Sequence, residues 1–335
     1  MSKNIFVCGG GTGGHFFCGL AFAEKYLEIE PDSEVHFIGV KRGIEGRYQF
    51  TDPRMKIHFV DSLGFKGVSF AKKIFALFSM AKGCFQAFFL IGKFRPSLVM
   101  GVGGYSSVPG VFAGLIWKIL ARLRVVVVEQ NSVAGLANRV FSKLGAEAFS
   151  AFETDNFVTI ELPMRSQILS KLQKTRDEEW PPKKILVMGG SQGALALNRA
   201  WLKTLPEFIQ HFPEIHISHQ SGAYSFQEVE EAYQSLHVNA EVFDFSDRIN
   251  QYIQEADLVI SRAGALSLFE LMAMDKPAVL VPFPQAADNH QLKNAQAVQN
   301  PEWIIDQAQL SWKTFAPVLA SSEPARLSWR GGPRL

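Results

Sequence analysis

Cysteine is nearly absent: Cys8, Cys18 and Cys84 are the three in 335 residues. An odd number without metal-ligand spacing excludes a disulfide framework and a cysteine-based metal centre, and it fits a reducing compartment. A secretory opening is lacking too, because the apolar run Ile5–Cys8 breaks at once into glycines. No charge-free apolar stretch approaches the ~20 residues that cross a bilayer, so the expectation is a protein that does not span one. Acidic residues are missing altogether between Ser62 and Val128, a stretch that holds nine Lys/Arg. A merely solvated surface would normally intersperse both signs, so that gap points first to an anionic partner: nucleic acid, phospholipid or a phosphorylated substrate.

What is present is a globular composition, 47% apolar and 20% charged, in a chain long enough for two domains. The net charge of +2 conceals an asymmetry: residues 1–165 carry 19 basic against 13 acidic side chains, and residues 166–335 carry 15 against 19.

Short β-rich runs alternate with helical patterns from the start. Strands are predicted at Asn4–Cys8, Glu34–Val40, Lys56–Val60, Ser97–Met100, Val125–Glu129 and Ala146–Ser150, with helices at Phe16–Leu27, Phe70–Ile91, Val108–Leu120 and Leu136–Leu144. The alternation lapses around the charged, Pro-Pro-containing stretch before Lys184. It resumes with strands at Ile185–Met188, Ile215–Ser218, Glu241–Phe243, Leu258–Ser261, Ala278–Val281 and Trp303–Ile305, separated by helices. Such βαβ alternation gives a doubly wound parallel sheet. The halves also echo each other, VCGGGTGG at Val7–Gly14 aligning without a gap to VMGGSQGA at Val187–Ala194. The expected architecture is α/β: two Rossmann-like domains, 1–163 and 183–320, facing across a cleft. A linker (164–182) joins them and an irregular tail (321–335) follows.

A glycine-rich strand-to-helix turn aims backbone N–H groups and a positive helix end at one point, which suits a phosphate or a developing anion. Three such turns occur, at Gly9–Gly14, Gly101–Gly104 and Gly189–Gly193. The first satisfies G-x-G-x-x-G literally, yet the second strand ends Gly39-Val40-Lys41-Arg42 with no acid for a ribose, so of the dinucleotides only NADP would fit. His15 closes that turn, where an imidazole can take a proton from a hydroxyl nucleophile or merely pack the helix start. In the second half, Ser261-Arg262-Ala263-Gly264 ends a strand and Glu270 lies in the next helix, as a ribose ligand or an ordinary surface glutamate.

Taken together, GGGTGGHFFCGLA (9–21), GVGGYSSVP (101–109), EQNSVAGLANR (129–139), GGSQGALALN (189–198), HQSG (219–222) and SRAGALSLFE (261–270) resemble the MurG family of peptidoglycan glycosyltransferases in order and spacing. The resemblance runs from about Asn4 to Leu310. It implies a GT-B fold and inverting transfer of N-acetylglucosamine from UDP-N-acetylglucosamine to the 4-hydroxyl of the muramoyl sugar of lipid I, giving lipid II and UDP. It implies no cofactor and no metal, and the chain has no Asp-x-Asp motif of metal-dependent glycosyltransferases. It further implies an enzyme peripheral to the cytoplasmic face of the plasma membrane, among other cell-wall enzymes. Carried onto this sequence, His15 becomes the candidate base. Thr12, Gly13, Gly14, Asn131, Arg165, Ser191 and Gln291 serve the nucleotide sugar, Ser246 meets uracil, and Ala265, Leu266, Ser267, Leu268, Phe269 and Glu270 line the nucleoside. Departures from the family pattern are Val128 before Glu-Gln-Asn, Glu161-Leu162-Pro163 ahead of Arg165, and Cys18 for a usual proline. An NADP-linked oxidoreductase, a UDP-sugar epimerase and a non-catalytic lipid-associated protein are the competing readings.

The apolar helix predicted at Phe70–Ile91 admits two placements. Phe70, Ile74, Phe78, Ala81, Phe85 and Phe88 follow helical spacing and could pack on the sheet; Phe75, Phe89 and Leu90 fall partly outside that stripe. The surrounding Lys66, Lys72, Lys73, Lys82, Lys93 and Arg95 favour an interfacial site on an anionic membrane. Its expected contacts are Lys72, Lys73, Ile74, Phe75, Phe78, Lys82, Phe89 and Trp117. No nucleic acid is expected, because no known recognition module appears.

Overall fold

The computed structural model describes residues 4–64, 70–164, 180–190, 193–246, 248–321 and 324–328; in the helix that starts at Phe70, side chains are described from Lys73. Arg165, Ser191, the side chain of Lys72 and most of the 164–182 linker lie outside the described residues. The chain divides into two compact units, 1–166 and 167–334.

The first unit is built on seven parallel strands: β1 (Ile5–Cys8), β2 (Val35–Gly39), β3 (Met55–Phe59), β4 (Leu98–Gly101), β5 (Arg124–Glu129), β6 (Glu147–Ser150) and β7 (Val158–Thr159), ordered β3-β2-β1-β4-β5-β6-β7. Its central strands read as unbroken apolar runs, such as Ile-Phe-Val-Cys and Val-Val-Val-Val, because helices cover both faces of a parallel sheet. Neighbouring residues of β1 show this. Val7 meets Gly19 of α1 (Gly13–Ile29) on one face, and Cys8 meets Gly110 of α3 (Val108–Ala121) on the other. Burial drives both Cys8 and Cys18 thiols far up from their usual pKa, so neither is a nucleophile.

Between β3 and β4 lies α2 (Phe70–Phe94), and its packing decides between the two placements the sequence left open. Ala76, Met80, Gly83, Ala87 and Ile91 face inward, while Ile74, Phe78 and Phe85, which helical spacing could have packed on the sheet, are exposed, Phe78 at 71%. Phe88 is half-buried and stacks on Trp117. The cause is close approach: a Cβ on Gly83 would lie 1.8 Å from the Asp61 carbonyl oxygen. Ala76, Gly83 and Ala87 let the helix sit close on this side, which leaves room inside for Met80 and Ile91 and turns most of its phenylalanines outward. Gln86 secures the contact by accepting from the Asp61 N–H at 2.8 Å. Residues 73–94 are long and apolar enough to cross a membrane by length and composition, and they form a packed layer of this unit.

The second unit repeats the plan with five parallel strands: β8 (Lys184–Met188), β9 (His216–Gln220), β10 (Asn239–Phe243), β11 (Leu258–Ser261) and β12 (Ala278–Leu280), ordered β10-β9-β8-β11-β12. Trp303–Ile305, predicted as a strand, makes only a single bridge, Leu280 to Ile304, after a 3-10 turn at Pro301–Trp303. The described residues of the tail pack back on the unit: Arg326 bridges Pro277, and Leu327 is buried.

Candidate active site

In a doubly wound sheet, ligands bind beyond the carboxyl ends of the strands at the point where the strand order reverses. In the first unit that point lies between β1 and β4, because β2 and β3 run outward on one side and β5 to β7 on the other. The Gly9–Gly14 turn follows β1 and the Gly101–Gly104 turn follows β4, so the topology brings two of the three glycine turns together.

His15, in the first turn of α1, stands at this junction and is half-buried. Its ring lies over Gly103 and Gly104, at φ +88° and +76°, where a Cβ would come within 3.1 Å of Cε1 and 3.0 Å of Cδ2. Only glycine supplies both the left-handed backbone and the room. Nδ1 of the imidazole is 3.3 Å from Nε2 of Gln130, which also donates to the Val102 carbonyl at 2.7 Å. Thr12 and Gly14 are exposed beside it, and Gly13 is buried as the first residue of α1.

The inner side of the first glycine turn is occupied by the protein itself. Glu45 is 1% exposed, and its carboxylate accepts from the Gly11 N–H at 2.8 and 3.1 Å and from the Val40 N–H at 3.0 Å. A carboxylate here fills the place a dinucleotide pyrophosphate would take, which removes the NADP reading on geometry. Tyr105 closes the outer side against Gly11 and Gly64. Partial burial pushes its phenol up, and the Glu45 charge adds to that.

Asn131 sits in the loop between β5 and α4 (Leu136–Lys143), a loop wrapped around Glu129. Oε1 of Glu129 accepts from the Gln130 and Asn131 backbones and from Nδ2 of Asn131; Oε2 accepts from the Gly135 N–H and from Nδ2 of Asn138.

In the second unit the order reverses between β8 and β11. The Gly189–Gly193 turn follows β8, and Ala263–Glu270 follows β11 into α5 (Ala265–Ala273), so these two motifs are neighbours. Ala265 is buried, Leu266, Ser267 and Phe269 are half-buried, and Glu270 is 8% exposed. Leu268 is wholly buried in the core, so its side chain has no ligand-facing surface. Gln291, expected to face the donor sugar, accepts from the Phe283 N–H at 2.9 Å and thereby holds the segment after β12. Ser246 is half-buried, with Oγ accepting from the Arg248 N–H at 3.0 Å.

Two buried groups brace this unit. The Arg262 guanidinium donates to the carbonyls of Val281 and Pro282 and to Oε1 of Gln307, and burial lowers its pKa to about 10. His219 lies in a chain whose proton directions follow from its ends. Asn198 donates to the Ser221 carbonyl, so its Oδ1 accepts from Nε2–H of His219, and Nδ1 then accepts from the Tyr233 hydroxyl. Desolvation pushes His219 down to about 3, a neutral ring whose network ends on Ser221, directly against Gly193 of the third glycine turn.

Outside these junctions, the exposed apolar surface of the first unit extends beyond α2. Lys73, Ile74, Phe75, Phe78, Lys82 and Phe89 are all exposed, as expected. Trp117 is half-buried, its indole N–H donating to the Phe88 carbonyl at 3.0 Å, so it buttresses α2 from α3. Sequence reasoning missed Phe112, Ile119 (86% exposed) and Leu120 on α3, and Leu136, Val140 and Leu144 along α4. Their i, i+4, i+8 spacing on α4 was the available signal.

Comparison with known proteins adds to this geometry. Residues 5–150 match the glycosyltransferase family 28 N-terminal domain and residues 184–324 its C-terminal domain. A UDP-N-acetylglucosamine–N-acetylmuramyl-(pentapeptide) pyrophosphoryl-undecaprenol N-acetylglucosamine transferase from Citrifermentans bemidjiense is 37% identical over 337 residues, covering 97% of this chain and 92% of that protein. A protein of the same name from Anaeromyxobacter sp. (strain K) is 36% identical over 301 residues, covering 88% and 77%. The crystal structure of Acinetobacter baumannii MurG aligns with a TM-score of 0.66 at 27% identity, covering 94% of this chain and 89% of that one.

Proposed function

The chain belongs to glycosyltransferase family 28, in its MurG branch, and from that membership we propose how its residues divide one reaction. It is a hexosyltransferase of the GT-B class that passes N-acetylglucosamine from UDP-N-acetylglucosamine to lipid I, giving lipid II. The acceptor 4-hydroxyl oxygen attacks C1 of the sugar, the bond from C1 to the β-phosphate oxygen breaks with its electron pair leaving on UDP, and the hydroxyl proton is released.

The division is supported by one observation: in each unit glycine-turn motifs flank the switch point of its own sheet, Gly9–Gly14 and Gly101–Gly104 in the first, Gly189 and Ala263–Glu270 in the second. The second unit takes the donor, with Glu270 accepting from the ribose hydroxyls, Ser246 near uracil, Ala265, Leu266, Ser267 and Phe269 along the nucleoside, Gln291 shaping the sugar end and Ser191 serving the phosphates together with Arg165 of the linker. The first unit takes the acceptor and supplies Thr12, Gly13, Gly14 and Asn131 to the transferring sugar. His15 is the catalytic residue of this reading, its imidazole serving a reacting oxygen. Backbone N–H donors aimed at developing charge are worth roughly 3 kcal/mol each, enough in number to stabilise departing UDP.

The test is a transfer assay with labelled UDP-N-acetylglucosamine and a lipid I analogue. Product is expected at an equal rate with and without chelator; no product, or hydride chemistry with NADP, overturns the reading. UDP is expected to raise the melting temperature by mass action, and Glu270→Ala to shrink that rise. Equal shifts in variant and wild type would free Glu270 of its ribose role.

We also infer that the exposed faces of α2 and α3 dock this enzyme on the cytoplasmic face of the plasma membrane, where its lipid-linked acceptor resides. Support comes from phenylalanines turned outward and from the lysines beside them. A lysine near an anionic surface contributes about 1 kcal/mol, screened by salt. Reversing Lys72 and Lys73 to glutamate is expected to weaken sedimentation with anionic vesicles by at least about tenfold while transfer to a short, soluble acceptor persists. Sedimentation equal to wild type would move the docking face elsewhere.

A further inference from the structure

Gln130 follows the last residue of β5, is 2% exposed, and has no part in the reaction as described so far. Its amide has one possible orientation. The atom 2.7 Å from the Val102 carbonyl oxygen must be a donor, because an amide turned around would set two acceptor oxygens against each other in a buried site. Nε2 is therefore fixed toward Val102, and its second N–H points at Nδ1 of His15, 3.3 Å away.

A neutral imidazole carries one N–H and one lone pair on its two nitrogens. The nitrogen that faces a donor holds the lone pair, which leaves the proton on Nε2. The ring cannot escape this by turning over: that would exchange Nδ1 for Cδ2 and lose the bond, and the ring already rests on Gly103 and Gly104. A doubly protonated ring is disfavoured as well, because an Nδ1–H would meet the Gln130 N–H.

We propose that Gln130 is a positioning residue that holds His15 as its Nε2–H tautomer, so that His15 acts on a substrate oxygen as a hydrogen-bond donor and not as a general base. The base expected from sequence needs its lone pair on the nitrogen that meets the substrate; the Gln130 contact puts that lone pair on the other one. The kinetic consequence rests on the transferase reading, whereas the tautomer does not.

The experiment uses the full chain labelled with 15N-histidine, at neutral pH and without substrate. The His15 signals are identified by their loss in His15→Ala. The expected pattern is an unprotonated Nδ1 and a protonated Nε2. A protonated Nδ1, or two averaged signals, overturns the proposal, and this wild-type measurement depends on no variant of Gln130 folding. In Gln130→Met, which removes the donor at similar volume, the pattern is expected to average between tautomers; an unchanged pattern would mean that another group holds the ring. In the transfer assay, Gln130→Met is expected to lower kcat about tenfold, the worth of one buried hydrogen bond, with donor KM within about twofold. Unchanged kcat would sink the positioning role. A wild-type enzyme with the expected tautomer but no transfer would instead overturn the reaction and leave the tautomer standing.

Discussion

His15→Ala is expected to lower N-acetylglucosamine transfer by roughly 10²–10³-fold, the worth of a donor aimed at developing charge. The imidazole stands where the first and second glycine turns converge, seated on Gly103 and Gly104 and fixed from the side by Gln130. Truncation leaves those supports in place and removes only the ring, so folding should survive. UDP binding should also survive, because Glu270 and the run before it lie in the other unit. The two effects are read separately: kcat by steady-state transfer to a lipid I analogue, and UDP affinity by the ligand-induced rise in melting temperature. Near-full turnover in the variant would remove His15 from the chemistry. If His15 and Gln130 act as one device, adding Gln130→Met to His15→Ala should cost almost nothing further, since removing either part of a unit removes the shared contribution.

Much of the fold was legible because a parallel sheet buried on both faces writes itself into the chain as short, nearly pure apolar runs. Leu258–Ser261 begins and ends where the pattern says, and β1, β4 and β5 shift by a residue or so. Trp303–Ile305 shows the limit: it has strand composition, yet strand formation needs a ladder, and a single bridge to Leu280 is all that position offers. The two placements open for α2 show another limit. Hydrophobic bulk alone allows phenylalanine inward, whereas Gly83 is inside because the Asp61 backbone comes so close, a contact no local pattern announces. At the site, motif residues were legible through local spacing, but their supports were not. Glu45 reaches Gly11 across 34 residues and Gln130 reaches His15 across 115, and no local pattern encodes contacts of that range.

Glu129 is such a support, and its removal carries the second large effect. The carboxylate is 3% exposed and gathers five donors at 2.9–3.1 Å: the N–H groups of Gln130, Asn131 and Gly135, and the amides of Asn131 and Asn138. In the unfolded chain water satisfies each of them; in a Glu129→Ala protein those kept from solvent have no acceptor, and each costs about 1–3 kcal/mol. Loop rearrangement will recover some, so a net loss of at least about 3 kcal/mol is expected. For a unit of this size that lowers the melting temperature by roughly 6–12 °C. Glu129→Gln should fall between, because one amide oxygen still accepts while its NH2 group now faces donors. Hydrogen exchange locates the damage: amides of 129–138 should lose protection first, with the second unit's strands unaffected. A melting temperature within about 2 °C of wild type would mean that water replaces the carboxylate. Because Gln130 and Asn131 both hang from this carboxylate, the donor KM should rise and kcat fall together in Glu129→Ala. Gln130→Met, which removes the side-chain bonds to His15 and the Val102 carbonyl but leaves every Glu129 contact in place, should move kcat alone, and that contrast separates the scaffold of the loop from its action on His15.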